Sequence, residues 1–164
     1  MNPANPKLLT LAEAVARREE LRAEKKLVVL TNGVFDLLHE GHLNSLRADH
    51  SYGALFVAIN SDESVRAIKG PTRPIENETE RARKLAALDY VDVVVIFRTP
   101  RLTAEIKALK PDIYCKSGDY NLSKLNPDEL QALEEVGAKI KFVPCLVGHS
   151  TTAKIAKMKA AGEL

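Results

Sequence analysis

Five short runs of β-forming residues, each followed by helical signals, constrain the fold of this chain more than any other feature. The runs are KLVVLT (26–31), ALFVAIN (54–60), DVVVIF (92–97), DIYCK (112–116) and KIKFV (139–143). Strands joined through helices form βαβ units, and right-handed crossovers place them in a parallel sheet covered on both faces. The expected fold is therefore α/β, a five-stranded parallel sheet with helices on both faces. At 164 residues the chain fits one domain, 1–164, with 1–25 as an N-terminal helical extension and 26–164 as the core. In such sheets a ligand lies at the carboxyl ends of the strands, where the strand order reverses. The loops that follow the strands are the places to search.

The helix signals between the runs are mostly caps. Thr10 and Glu13 have capping-box spacing for a helix to about residue 24, and Arg17-Arg18-Glu19-Glu20 reads as its solvated, mixed-charge face. Further helices are expected from about Gly41, from Ser61 to near Lys69 and Gly70, and from Asn77, with Glu80, to about Leu88. The intervening GPTRPIEN (70–77) holds two prolines and a glycine and is a loop. Thr99-Pro100 reads as an N-cap followed by proline at the first helical position, and Asn126-Pro127 with Glu129 repeats that signature. A terminal helix is expected near Ser150.

Composition narrows the partners. Lys and Arg number 24 against 22 Asp and Glu, so the net charge of +2 speaks against a dedicated nucleic-acid binder. Trp is absent and aromatics are 5%, which gives base stacking little support. No apolar run approaches the roughly 18 residues of a membrane span. The first residues lack the apolar stretch of a secretory signal, so the expected compartment is the cytoplasm. The two cysteines, Cys115 and Cys145, form no C-x-x-C pair and read as reduced, partly buried thiols.

The loop after the first run is TNGVFDLLHEGHL (31–43). Gly33 permits a tight turn and close approach of backbone to an anion, and His39 and His42 flank Gly41 where a helix begins. The unpaired amides of a helix N-terminus suit phosphate. Two imidazoles beside them could donate to oxygens that gain charge during phosphoryl or nucleotidyl transfer. A dinucleotide fingerprint would need G-x-G-x-x-G, and a zinc protease H-E-x-x-H, one residue longer than the spacing here. Spacing alone also allows two unrelated surface histidines.

The words around this loop resemble the cytidylyltransferase-like nucleotidyltransferases, whose hallmark is His-x-Gly-His after a strand ending in Gly-x-Phe-Asp. AINSDESVRAIKGPTRPI (58–75), ERARKLAALDYVDVVVIF (80–97), KPDIYCKSGDY (110–120) and GHSTTAKI (148–155) follow in the family's order. The resemblance implies a Rossmann-like nucleotidyltransferase fold. Within the superfamily the chain looks most like the adenylyltransferases of ADP-heptose synthesis, through NSDESV (60–65), IKGP (68–71) and KSGDY (116–120). Ser117 stands where those members carry glycine. CLVGHSTT (145–152) lacks the arginine and threonine of the glycerol-phosphate cytidylyltransferase pattern, which favours ATP over CTP. His149 has no physical account in this reading.

What the resemblance implies is transfer of AMP from ATP to a sugar 1-phosphate, D-glycero-β-D-manno-heptose 1-phosphate, with release of pyrophosphate. Catalytic roles would fall to His39, His42 and Lys69. Nucleotide contacts would come from Thr31, Asn32, Gly33, Val34, Phe35, His39, Gly41, His42, Arg81, Lys116, Gly118, Asp119, Gly148, Ser150, Thr151 and Thr152. Asp36 would orient the phosphate loop or bind the acceptor sugar, and Lys69 and Arg73 would face the acceptor. No protein metal ligand is expected; Mg²⁺ would arrive with the triphosphate. Expected partners are ATP and a sugar phosphate, with no nucleic acid and no membrane, in a homodimer. Alternative readings are a cytidylyltransferase for glycerol 3-phosphate or a related alcohol phosphate, an FMN adenylyltransferase, and a nucleotide-binding module without turnover.

Overall fold

A computed structural model describes residues 4–117 and 125–143. Strands β1 (Val28–Gly33), β2 (Ala54–Asn60), β3 (Val93–Phe97), β4 (Ile113–Ser117) and β5 (Lys139–Val143) form one parallel sheet in the order β3-β2-β1-β4-β5. Helices α1 (Leu11–Ala23), α2 (Glu40–His50), α3 (Asp62–Lys69), α4 (Glu78–Ala86), α5 (Thr103–Leu109) and α6 (Pro127–Glu135) connect and flank the strands. The expected five-stranded Rossmann-like architecture is thus the observed one.

Alternation along the strands builds two apolar layers, because successive side chains point to opposite faces. Val28, Leu30, Phe56 and Ala58 pack with Ala14 and Leu21 of α1, Ile106 and Leu109 of α5, and Leu133 of α6. Val29, Leu55, Val57 and Ile59 pack on the other face with Leu46 of α2 and Ala82 and Leu85 of α4. The free edge of β3 is covered by the chain before α1: Leu9 N donates to Val94 O at 2.9 Å, and Val94 N to Lys7 O at 2.8 Å. Backbone groups that would otherwise invite a second chain are satisfied in this way.

The sheet is uneven at its centre. β1 pairs with β2 over six residues, from Val28↔Ala54 to Gly33↔Ile59. With β4 it pairs only at Val29↔Ile113 and Leu30↔Tyr114. Beyond that point side chains hold the two strands together. Thr31 Oγ1 donates to Cys115 O at 2.9 Å, and the Tyr114 hydroxyl donates to Asn32 Oδ1. The strands part at their carboxyl ends, where the order reverses, and this opens the crevice expected of the fold.

Two local expectations are corrected. Arg18 does not lie on a solvated face: it is buried, with Nε 3.1 Å from Leu109 O and Nη2 2.9 Å from Lys110 O. The last carbonyls of α5 lack intrahelical partners and need donors, and the long Arg18 side chain supplies them. Nor does α5 begin at Thr99-Pro100. Its N-cap is Leu102, buried and without a side-chain cap of its own, whose N–H donates to Glu129 Oε2 of α6 at 2.8 Å. A carboxylate from a neighbouring helix thus replaces the local cap. The terminal helix near Ser150 and Cys145 lie outside the described residues. Cys115 is a free thiol, fully buried, and burial pushes its pKa upward.

Candidate active site

The loop leaving β1 is backbone-strained and tightly held. A Cβ on Gly33 would come within 3.0 Å of the Phe35 ring, so that position favours glycine. Phe35 and Leu37 follow with φ of 53° and 54°. This left-handed conformation costs a non-glycine residue roughly 1–2 kcal/mol. Such strain persists only where surrounding contacts fix it, and it tends to mark working loops.

His39 is the N-cap of α2. Its Nδ1 accepts from Gly41 N at 3.1 Å and His42 N at 3.4 Å, while His42 Nδ1 accepts from His39 N at 3.3 Å. This is a capping box in which imidazoles replace the usual hydroxyl and carboxylate. The rings stack with centroids 3.8 Å apart, and Phe35 lies 5.3 Å from His42. The histidines are therefore one unit and not two unrelated surface residues. Because each Nδ1 is an acceptor, the neutral ring carries its proton on Nε2. Nε2–H is then the donor on each ring, and in this structure the His39 Nε2 atom is buried. One expected contact changes role: the Gly41 amide is engaged by His39.

Below the histidines lies a floor of buried polar groups. Asp36, 1% exposed, accepts from Ile75 N at 2.7 Å and Glu76 N at 2.9 Å, with Arg73 Nε at 3.3 Å. Its carboxylate faces the 70–77 loop and orients it. Arg81, expected near the nucleotide, has no exposed surface. Its guanidinium donates to Glu76 O at 3.0 Å, Val34 O at 2.9 Å, Asn60 O at 2.7 Å and Asp62 Oδ1 at 2.7 Å. With these four acceptors engaged, Arg81 braces the loops from beneath. Arg73 keeps only a small exposed surface beside Asp36.

The rim carries the remaining charge. Lys69, the last residue of α3, is exposed; lost hydration and the charge of nearby Arg73 lower its pKa, with Asp36 opposing. Two cations held this close, with one carboxylate already engaged, suit an anionic guest. Lys116, next to last in β4, lies across the crevice, and burial lowers its pKa against the pull of Glu129. Thr31 and Asn32 use their side chains to bridge β1 and β4. Gly118, Asp119, Gly148, His149, Ser150, Thr151 and Thr152 lie outside the described residues. Among the described residues no group of three or more His, Cys, Asp or Glu side chains is arranged to hold a metal ion.

Sequence reasoning missed Glu76, Asp62 and Tyr114, which hold the loops and strands around the crevice. Asp62 had a signal, since an acidic residue in the first turn of a helix two residues from a strand end can meet a basic one. Glu76 had none: it sits in a loop with no period.

The comparisons decide the family. The cytidylyltransferase-like family model matches residues 30–159. The chain belongs to the cytidylyltransferase-like family. Among its similar relatives is the bifunctional protein HldE of Koribacter versatilis, 45% identical over 158 residues, covering 94% of this chain and 32% of the relative. HldE of Desulfatibacillum aliphaticivorans is 43% identical over 147 residues, covering 89% and 30% respectively. The chain thus spans about a third of the length of the curated relatives it matches. A solved lipopolysaccharide core biosynthesis protein from Thermoplasma volcanium has a TM-score of 0.60 at 28% identity, over 74% of this chain and 97% of that one. Pantoate-beta-alanine ligase from Francisella tularensis, at 14% identity and a TM-score of 0.54, shares the fold. Membership agrees with the resemblance read from the strand and histidine words. In the described residues no helix is long and apolar enough to cross a membrane.

Proposed function

We propose that this cytidylyltransferase-like chain is an adenylyltransferase that joins ATP and D-glycero-β-D-manno-heptose 1-phosphate to give ADP-heptose and pyrophosphate. The observation that carries the reading is the stacked His39–His42 pair. It stands at the start of α2, beside the crevice between β1 and β4, with both Nδ1 atoms turned inward. The heptose acceptor rests on the family words in 60–71 and 116–120. Similarity to HldE proteins and to a lipopolysaccharide core biosynthesis protein adds support.

A phosphate oxygen of the sugar attacks the α-phosphorus of ATP, the bond to the β-phosphate bridging oxygen breaks, and pyrophosphate leaves with that electron pair. A phosphate nucleophile is already ionised at neutral pH, so no general base is required. The work is positioning and stabilising added charge. The Nε2–H groups of His39 and His42 would donate to oxygens of the triphosphate. Lys69, helped by Arg73, would hold the acceptor phosphate, and Lys116 would face the nucleotide from β4. A bound phosphate would raise the lowered pKa values of both lysines and keep them charged. Mg²⁺ would neutralise charge on the triphosphate. The Asp36 carboxylate is engaged by N–H donors, which suits an ion held mainly by the nucleotide's own oxygens.

Pyrophosphate release tests the reading, with ATP and CTP each paired with heptose 1-phosphate, glycerol 3-phosphate and FMN. Release is expected with ATP and heptose 1-phosphate. Release only with CTP would overturn the adenylyl assignment. ATP binding by calorimetry with no pyrophosphate from any acceptor would leave a binding module.

A further inference from the structure

We propose that Glu76 is a positioning residue that keeps the cationic arm bearing Lys69 and Arg73 in register with the histidine loop. Its carboxylate reaches across to the other loop: Oε1 accepts from Leu37 N at 3.0 Å, and Oε2 pairs with the Lys84 ammonium. Asp36 makes the reverse connection, accepting from the Ile75 and Glu76 amides at 2.7 and 2.9 Å. Each loop thus gives a carboxylate to the other's backbone. The Glu76 carbonyl adds a third tie, accepting from Arg81 Nε at 3.0 Å, and Arg81 also binds Val34 O at 2.9 Å. Donor, acceptor and side chain of one residue are all spent on joining the two loops.

The place where Glu76 grips matters. Leu37 is left-handed, with φ 54°, and lies two residues before the N-cap His39. An amide in that conformation stays put only while its partner does. Releasing it lets residues 35–37 relax and moves the histidine pair relative to Lys69. The Glu76 side chain is 14% exposed and takes part in the chemistry only through the residues it places. Near-attack geometry is sensitive: a displacement of about 1 Å costs on the order of 100-fold in rate.

The inference rests on the nucleotidyl-transfer reading, so its test includes a readout independent of turnover. Glu76→Ala is expected to lower kcat about 10- to 100-fold while the ATP dissociation constant stays within about threefold, since Glu76 itself makes no contact with the nucleotide in this reading. Glu76→Gln keeps an oxygen for the Leu37 amide and is expected to recover most of the rate. In amide hydrogen exchange, Glu76→Ala is expected to speed exchange on both sides of the clasp, at Leu37 and at Ile75, with β1 and β2 unchanged. Wild-type exchange at Leu37 in Glu76→Ala would overturn the proposal. So would an equal loss of rate in Glu76→Gln, or faster exchange throughout the core, which marks a merely structural role. A wild-type protein that releases no pyrophosphate with any pair would instead defeat the transfer reading, and the exchange pattern would still decide the clasp.

Discussion

At the rim of the crevice His39, His42, Lys69 and Lys116 keep part of their surface open, whereas Asp36 and Arg81 beneath them are 1% and 0% exposed. Both sets come from the same family words, and both consist of ionisable side chains. The rim side chains keep part of their surface open, although the His39 Nε2 atom is itself buried. The floor groups have turned their polar atoms toward carbonyls, amides and each other. A buried charge is tolerated only when paired and hydrogen-bonded, and a group so paired has little left for a ligand. The comparison teaches that a charged residue inside a functional motif can be spent on holding loops together. The floor groups are buried and already paired, and the rim groups are not buried.

The comparison breaks first at Arg81. Arg81→Met would leave the Asp62 carboxylate and three carbonyls without their donor. A loss of about 3–5 kcal/mol is expected in urea unfolding. A loss below about 1 kcal/mol, with activity gone, would move Arg81 from the floor to the rim.

Asp49 sharpens it from another side. This α2 residue is as buried as Asp36, but its Oδ1 has no hydrogen-bond partner, and burial raises its pKa to about 6. An unfolded aspartate titrates near 4. Between those values the folded state holds the proton more firmly, so this residue's contribution to stability falls as pH rises from about 4 to about 6 and is level above. Asp49→Asn removes the penalty. Its stability advantage over the wild type should grow across that window to on the order of 3 kcal/mol at pH 7. A constant difference across the window would show that Asp49 is not desolvated in the folded protein.

Much of the fold was legible because it rests on local rules. Thr10 with Glu13, Ser61, Asn77 and Asn126 cap their helices as their types and spacing suggest, and ALFVAIN is the strand at residues 54–60. What stayed hidden depends on contacts distant in sequence. Arg18 reads as one more charge on a mixed-charge helix, yet it caps α5 some 91 positions away. Glu129 has the spacing of its own helix's cap and serves Leu102 instead. In the site, the histidine pair was legible because both partners sit within four residues of the same helix start. The work of Arg81 and Glu76 was not, because it is to join loops 34–42 and 70–77, and no period or spacing records a meeting of loops; for Asp36 a loop-orienting role was one of two readings.

His42→Ala tests the division between rim and floor most directly, with turnover and unfolding measured on the same preparation. His42 Nδ1 makes one backbone hydrogen bond in the α2 cap, so the expected loss of stability is about 1 kcal/mol. Removing a transition-state donor should lower kcat on the order of 10²–10³-fold. Near wild-type turnover in the folded variant would contradict the account, and so would a loss of activity explained wholly by unfolding.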